Sequence, residues 1–270
     1  MNRSFYKKLI FIALSALAGC AETRKEISYI EKPVEQLYNL AIDQALTGNF
    51  RVAAPLFDEV ERQHPYSTWA TQSQLMAAYS LYQSNQYDEA VNALNRFIQL
   101  NPSNKNIDYA YYLKGLSYYE RIVDVGRDQR ITKQALDTFS EIVKRFPKSK
   151  FARDAKLKID LTRNHLAGKE MEIGRFYLKR GHYFSAINRF KMVVEKFDTT
   201  AQVPEALHRL TEAYLALGLK EEATKTAAIL GYNFPGSDWY RDTYSIVKTG
   251  KLNKSKLKDG GLLGLGFWVF

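Results

Sequence analysis

The sequence predicts an all-α protein built from stacked helix pairs, and three observations carry that prediction. An alanine followed by apolar residues four and seven positions on, and by proline twelve on, recurs along the chain: Ala53, Phe57, Val60, Pro65; Ala90, Leu94, Phe97, Pro102; Ala135, Phe139, Ile142, Pro147; and Ala223, Ala227, Leu230, Pro235. A further copy, Ala186, Phe190, Val193, has Asp198 at the proline position. Four of the seven prolines fall at this one place, where proline ends a helix by denying it continuation. Short polar turns (Thr47-Gly48-Asn49, Ser84-Asn85-Gln86 and Arg180-Gly181-His182) precede the alanine helices. A recurring helix–turn–helix of this pattern matches the tetratricopeptide repeat (TPR) of 34 residues, in which a small residue lets two helices approach closely. The predicted architecture is a superhelical solenoid of five TPR helix pairs closed by a C-terminal capping helix.

The elements follow in chain order. Residues 1–19 form a signal peptide, with Arg3, Lys7 and Lys8 as a basic start and Leu9 to Ala18 as an apolar run of ten. That run is shorter than the roughly 20 residues needed to span a bilayer and fits the apolar region of an export signal. Leu17-Ala18-Gly19-Cys20 resembles a bacterial lipobox, so Cys20, the chain's one cysteine, is the expected lipid attachment site. Several acyl chains on one residue exceed the two-signal threshold for stable anchoring. No other cofactor is expected. Ala21, rather than Asp, after the cysteine favours the outer membrane by resemblance to lipoprotein sorting. Residues 20–33 are the acylated cysteine and a tether, of which Glu22 to Pro33 reaches at most about 40 Å.

Pairs 1 and 2 occupy 34–102, with Leu37, Leu40 and Ala41 expected inward. Pair 3 occupies 103–147 and holds an insertion around Val123 to Arg130, which accounts for a 45-residue step between alanines. Pairs 4 and 5 occupy 148–235. The 51-residue step there contains Ser149 to Arg180, a proline-free stretch that reads as one long helix with a kink near Gly168. Residues 236–250 form the capping helix expected at the end of a stack. Residues 251–270 are a basic, then apolar, tail.

Charge and motifs narrow the function. The formal charge of +10 falls to +7 without the signal peptide, as 36 basic residues then face 29 acidic ones. Lys248, Lys251, Lys254, Lys256 and Lys258 read as the only concentrated basic run, a solvated tail, and no nucleic-acid partner is expected. His64, His165, His182 and His208 are scattered without metal-ligand spacing, and no phosphate loop or nucleophile elbow is present. The expectation is a non-enzymatic binding protein with neither catalytic residues nor a metal.

Repeat positions 2, 5, 9 and 12 of each first helix line the concave side. They place Glu35, Tyr38, Ile42 and Ala45 there in pair 1, Gln72, Leu75, Tyr79 and Tyr82 in pair 2, and Tyr109, Tyr112, Leu116 and Tyr119 in pair 3. Pairs 4 and 5 offer Met171, Arg175, Leu178, His208, Glu212 and Leu215. Tyrosine joins a large apolar ring to a water-tolerant hydroxyl, which suits peptide capture. Tyr38, Ile42, Leu75, Tyr79, Tyr82, Tyr109, Tyr112 and Tyr119 are therefore the expected substrate-peptide groove.

Residues 17–247 resemble the ComL-like, or BamD, family of outer-membrane lipoproteins. The stretches that carry the resemblance are Arg96 to Pro102, Asn106 to Tyr109, Leu113 to Leu116, Gly174 to Gly181 and Ala186 to Phe190. It implies a scaffold of the β-barrel assembly machine on the periplasmic face of the outer membrane. Implied partners are the periplasmic domains of BamA, accessory lipoproteins such as BamE, and unfolded barrel substrates. Arg189 matches a family arginine at the BamA interface, and Arg175 is assigned to the same interface. Asp198 and the segment 260–270 depart from the family pattern. The competing reading keeps fold and anchor but makes the protein an adaptor for pilus assembly or cell division.

Overall fold

The computed structural model describes residues 31–250. The signal peptide, Cys20, most of the tether and the tail lie outside the described residues. The helices run α1 Val34–Leu46, α2 Phe50–Gln63, α3 Thr68–Gln83, α4 Tyr87–Leu100, α5 Ile107–Tyr119, α6 Arg130–Arg145, α7 Lys150–Lys179, α8 Tyr183–Lys196, α9 Val203–Ala216, α10 Lys220–Asn233 and α11 Asp238–Thr249. Each packs on its chain neighbours, and each odd-numbered helix also touches the next odd one, whereas even-numbered helices do not touch one another. The odd helices thus form the inner layer of a curved stack of antiparallel pairs.

Local chemistry explains where helices stop. Pro65, Pro102, Pro147 and Pro235 each stand two residues past a helix end, at Gln63, Leu100, Arg145 and Asn233. The residues just before them, His64, Asn101, Phe146 and Phe234, hold φ between −127° and −135°, the extended value a following proline enforces. Phe197 adopts φ −125° before Asp198, so the departure there leaves the helix end unchanged. Within pairs, Gly48, Gly181 and Gly218 turn the chain at φ 76° to 79°, and Asn85 takes the same role at φ 62°. These are left-handed conformations that glycine, and less readily asparagine, adopts.

The interior repeats as the sequence does. Ala53, Ala90, Ala135, Ala186 and Ala223 are fully buried, as are Phe57, Leu94, Phe139 and Phe190 four residues on. Facing these plugs, the first helices carry small residues: a Cβ on Gly115 would stand 2.6 Å from the Phe139 ring, and one on Gly174 would collide with Phe190. Leu40 departs from expectation: it is 41% exposed while Leu37 and Ala41 are buried. Pair 1 has no preceding pair to cover the outer flank of α1.

The long step between alanines resolves into α7, 30 residues or about 45 Å of continuous helix. Its Ala155 belongs to the core of pairs 2 and 3, and its Ala167, Met171 and Leu178 to the core of pairs 4 and 5. It is therefore shared between two pairs. No helix end interrupts it at Gly168, which faces the insertion: an added Cβ there would stand 3.4 Å from the Val125 side chain, an ordinary contact. The insertion is held by Gln129, buried and donating from Nε2 to the carbonyls of Asp124, Val125 and Arg127, and by Lys169 Nζ donating to the Gly126 carbonyl at 2.8 Å.

An exposed helical glycine gains up to about 1 kcal/mol on replacement by alanine. Gly115→Ala and Gly174→Ala should instead destabilise by about 1–3 kcal/mol, because each methyl overpacks a buried ring that has no space to retreat into. Chemical denaturation checks this, and a raised midpoint for either variant would refute the ring-on-glycine packing.

Candidate functional site

A groove of 1260 Å³ opens between the N-terminal halves of α3 and α5 and the first turn of α7. Leu75, Met76, Tyr79, Tyr109 and Phe151 supply apolar walls, and Lys105, Lys148 and Lys150 stand at its margin with Asn104 and Ser149. Serine caps build the walls. The Ala70 N–H donates to Ser67 Oγ at 3.1 Å to start α3, and the Phe151 N–H donates to Ser149 Oγ at 3.1 Å to start α7. Ser149 Oγ in turn donates to Asp108 Oδ2 at 2.6 Å, tying α7 to α5. The groove is thus held by helix ends rather than by loops.

The expected groove residues divide by depth. Tyr38 is 6% exposed, with its ring 4.6 Å from Trp69 and its hydroxyl accepting from Gln72 Nε2 at 2.7 Å, so it lies beneath the surface as part of the wall. Leu75, at 7%, forms part of the floor, and Ile42 packs half-buried on the core of pair 1. Tyr79 meets Phe50 edge-on at 5.9 Å and accepts from Gln83 Nε2 at 2.8 Å. Tyr82 lies 5.7 Å from Tyr87. Tyr109 and Tyr112 pack on Phe151 at 5.3 and 4.9 Å, the second stacked, and Tyr112 Oη donates to Asp154 Oδ2 at 2.5 Å. Tyr119 sits edge-on to Phe139 with Lys158 Nζ 4.7 Å from its ring. Tyr79 and Tyr109 reach the groove, and Tyr82, Tyr112 and Tyr119 continue the half-buried tyrosine surface along α3 and α5.

Electrostatics keep these phenols neutral. Burial, reinforced by Glu120, pushes Tyr82 up to about 12, and burial pushes Tyr109 up to about 12 with help from Tyr79 and Tyr82. Burial and then the bond to Asp154 raise Tyr112 further. The rings therefore offer apolar area with un-ionised hydroxyls.

Phe151 and Asp154 are not among the expected site residues, because α7 reads from the sequence as part of the next pair. A legible signal did exist. Lys144, Arg145, Lys148, Lys150 and Arg153 fall within ten residues that hold no acid, so the tail's lysines are not the only concentrated basic run.

The expected C-terminal positions lie differently. Met171, Leu178, His208 and Glu212 are buried rather than surface-lining, because α9 and α11 pack over them. Arg175 Nη1 pairs with Glu205 Oε2 at 3.1 Å, joining α7 to α9. Buried Arg209 continues the chain of charge, with 2.7 Å to Glu212 Oε2, and His208 Nδ1 lies 2.7 Å from Thr243 Oγ1 on α11. Burial works to raise Glu212, but the hydrogen bond and charge of His208, with Arg209, outweigh it and hold the carboxyl below its ordinary value. Arg189, on α8, pairs with Glu170 on α7 at 2.9 Å and keeps part of its surface exposed.

Raised phenol pKa values mean that the folded state holds these protons more tightly than the unfolded chain. Stability is then complete below about pH 10 and falls as pH rises from 10 towards 12. Phenolate absorbance should show a late-titrating set that shrinks by one in Tyr109→Phe. Titration of all tyrosines together near pH 10 would contradict the buried cluster.

Comparison with known proteins identifies the family of this chain. A family model described as an outer membrane lipoprotein, YfiO, matches residues 30–230. The outer membrane protein assembly factor BamD of Caulobacter vibrioides is 50% identical over 238 residues, covering 87% of this chain and 78% of that relative. The protein of the same name from Rickettsia prowazekii is 47% identical over 240 residues, covering 89% and 95%. Among solved structures, the TPR2AB domain of yeast Sti1 aligns with a TM-score of 0.41 at 11% identity, covering 83% of this chain and 96% of that one. The chain belongs to the YfiO family of outer membrane lipoproteins, to which it is tied through its BamD relatives.

Proposed function

We propose that this protein is a non-enzymatic scaffold of outer-membrane β-barrel assembly, acylated at Cys20 and facing the periplasm. Its N-terminal pairs hold extended segments of unfolded barrel proteins, and its C-terminal pairs dock on the periplasmic domains of BamA beside accessory lipoproteins such as BamE. The observation that carries the substrate reading is the groove of α3, α5 and α7, where aromatic walls with neutral phenols meet a lysine margin. Aromatic side chains of an extended peptide bury against Tyr79, Tyr109 and Phe151, while its backbone finds neutral donors and acceptors. Rigid aromatic anchors of this kind supply most of the energy of a binding surface. Membership of the family supports the assembly role, since the relatives are outer membrane protein assembly factors.

Arg189 is the proposed BamA contact on α8, with Arg175 behind it on α7. Partly exposed ion pairs such as Arg189–Glu170 contribute about 0–1 kcal/mol to folding, so the charge is available to a partner at little structural cost.

Two measurements test the reading. Tyr79→Ala with Tyr109→Ala should lower photo-crosslinking of aromatic-ended barrel peptides about ten-fold or more while helicity is retained. Unchanged crosslinking by the folded variant would end the groove assignment. Arg189→Glu should lose co-purified BamA at moderate salt, and full recovery would remove Arg189 from the interface.

A further inference from the structure

We propose that the edge of the stack formed by the turns between pairs rests on an anionic phospholipid surface, so that the groove mouth faces the bilayer. Because the helices alternate in direction, the turns 64–67, 101–106, 146–149, 197–202 and 234–237 all fall on this edge. The N-terminus of α1 falls there too. Tyr38 and Gln72, each the fifth residue of its helix, are hydrogen-bonded at 2.7 Å, which sets α1 and α3 parallel and in register. Val34, the first residue of α1, therefore lies at the same edge.

Charge and exposure single the edge out. Lys105, Lys144, Lys148, Lys150 and Arg153 are exposed there, and Lys105, Lys148 and Lys150 converge on one groove mouth. Beside that mouth the acids are engaged: Asp108 accepts from Ser149 and Glu141 faces Arg145 at 2.9 Å. Exposed Glu31, Glu35, Glu195, Asp198 and Asp238 lie farther along the edge, so the cationic patch is the stretch from Lys105 to Arg153. Tyr66 is fully exposed, Tyr232 is 87% exposed and Leu100 60%, all at these turns. Exposed apolar residues also occur at the opposite edge, among them Leu46, Phe176 and Phe184. Cations there are interleaved with exposed Asp88 (paired with Arg121), Glu89, Glu120, Asp124, Glu221 and Glu222 (paired with Lys225), so no comparable cationic patch forms.

Lysines with exposed tyrosine rings form the pattern that settles at a lipid headgroup layer: the cations meet the phosphates and the amphipathic rings enter the interface. Each lysine near an anionic leaflet strengthens the association about five-fold, and the effect falls off within a Debye length. A lipid on Cys20 does not by itself set the orientation of the stack. This edge fixes its orientation, and under the groove reading it directs a held peptide towards the membrane.

The test uses the acylated full chain in phosphatidylcholine vesicles with and without phosphatidylglycerol, followed by amide hydrogen exchange. The expected result is slowed exchange at 101–106 and 144–151 in phosphatidylglycerol vesicles alone, weakened by added salt. Lys144→Glu with Tyr66→Ala, two exposed residues outside the groove lining, should reverse that slowing about ten-fold or more while circular dichroism stays unchanged. Equal exchange in both vesicle types, slowing centred on Asn85, Gly181 and Gly218, or no effect of the double variant would each overturn the proposal. Peptide crosslinking in detergent, without vesicles, reports the groove reading separately, so either can fail while the other stands.

Discussion

One close approach underlies the whole stack: a plug residue on the second helix of each pair meets a small residue on the first. Where the plug is Phe139 or Phe190, the first helix offers Gly115 or Gly174, and an added methyl would overlap the ring. At the equivalent places Phe57 is matched with Ala41 and Leu94 with Ala78, all buried. In pair 5 the plug shrinks to Ala227 and the matching residue grows to Thr211. In pairs 1 to 4 a large residue thus meets a small one, as close-packed interiors require. Every other feature, from the angle between pairs to the surface presented by the first helices, depends on this distance being short.

Close packing of pairs also explains the role of α7. A helix of 30 residues is long enough to close pair 3 with one end and open pair 4 with the other, so the two core regions are joined by a rigid element instead of a loop. The insertion between α5 and α6 lies against this helix, with Val125 beside Gly168 and the Gly126 carbonyl accepting from Lys169. Consequently Phe151 and Asp154, at the start of a helix whose far end serves the C-terminal pairs, reach back to Tyr109 and Tyr112. The N-terminal and C-terminal halves share one shaft.

The two halves differ in how they treat polar groups. In the N-terminal half the tyrosines keep their rings half-covered and their hydroxyls neutral, leaving area for a ligand. In the C-terminal half Arg175, Glu205, Arg209, Glu212 and His208 pair with one another along α7 and α9. Removing one member of such a buried set leaves its partner uncompensated, at a cost of about 3–5 kcal/mol. The capping helix is fastened to this set by Thr243, 2.7 Å from His208 Nδ1, and by Trp239, which lies 5.2 Å from His208 and beneath Arg209.

The sequence by itself determined the helix pairs, their ends and the family. Those signals are local: a proline two residues past four of the helix ends, a glycine or asparagine in the turns at Gly48, Asn85, Gly181 and Gly218, and an alanine followed by apolar residues at helical spacing. Tyr79 and Tyr109 were legible as groove residues for the same reason, since one position in a repeat faces one way. Only the tertiary structure decided which tyrosines are covered. Tyr38 is buried because Trp69, from the next pair, lies over it. Leu40 is exposed because no pair precedes it, and His208 and Glu212 are buried because α11 returns to α9. Phe151 and Lys148 became part of the site because α7 begins beside α5. Burial depends on neighbours that arrive from distant parts of the chain, and periodicity along one helix carries no record of them.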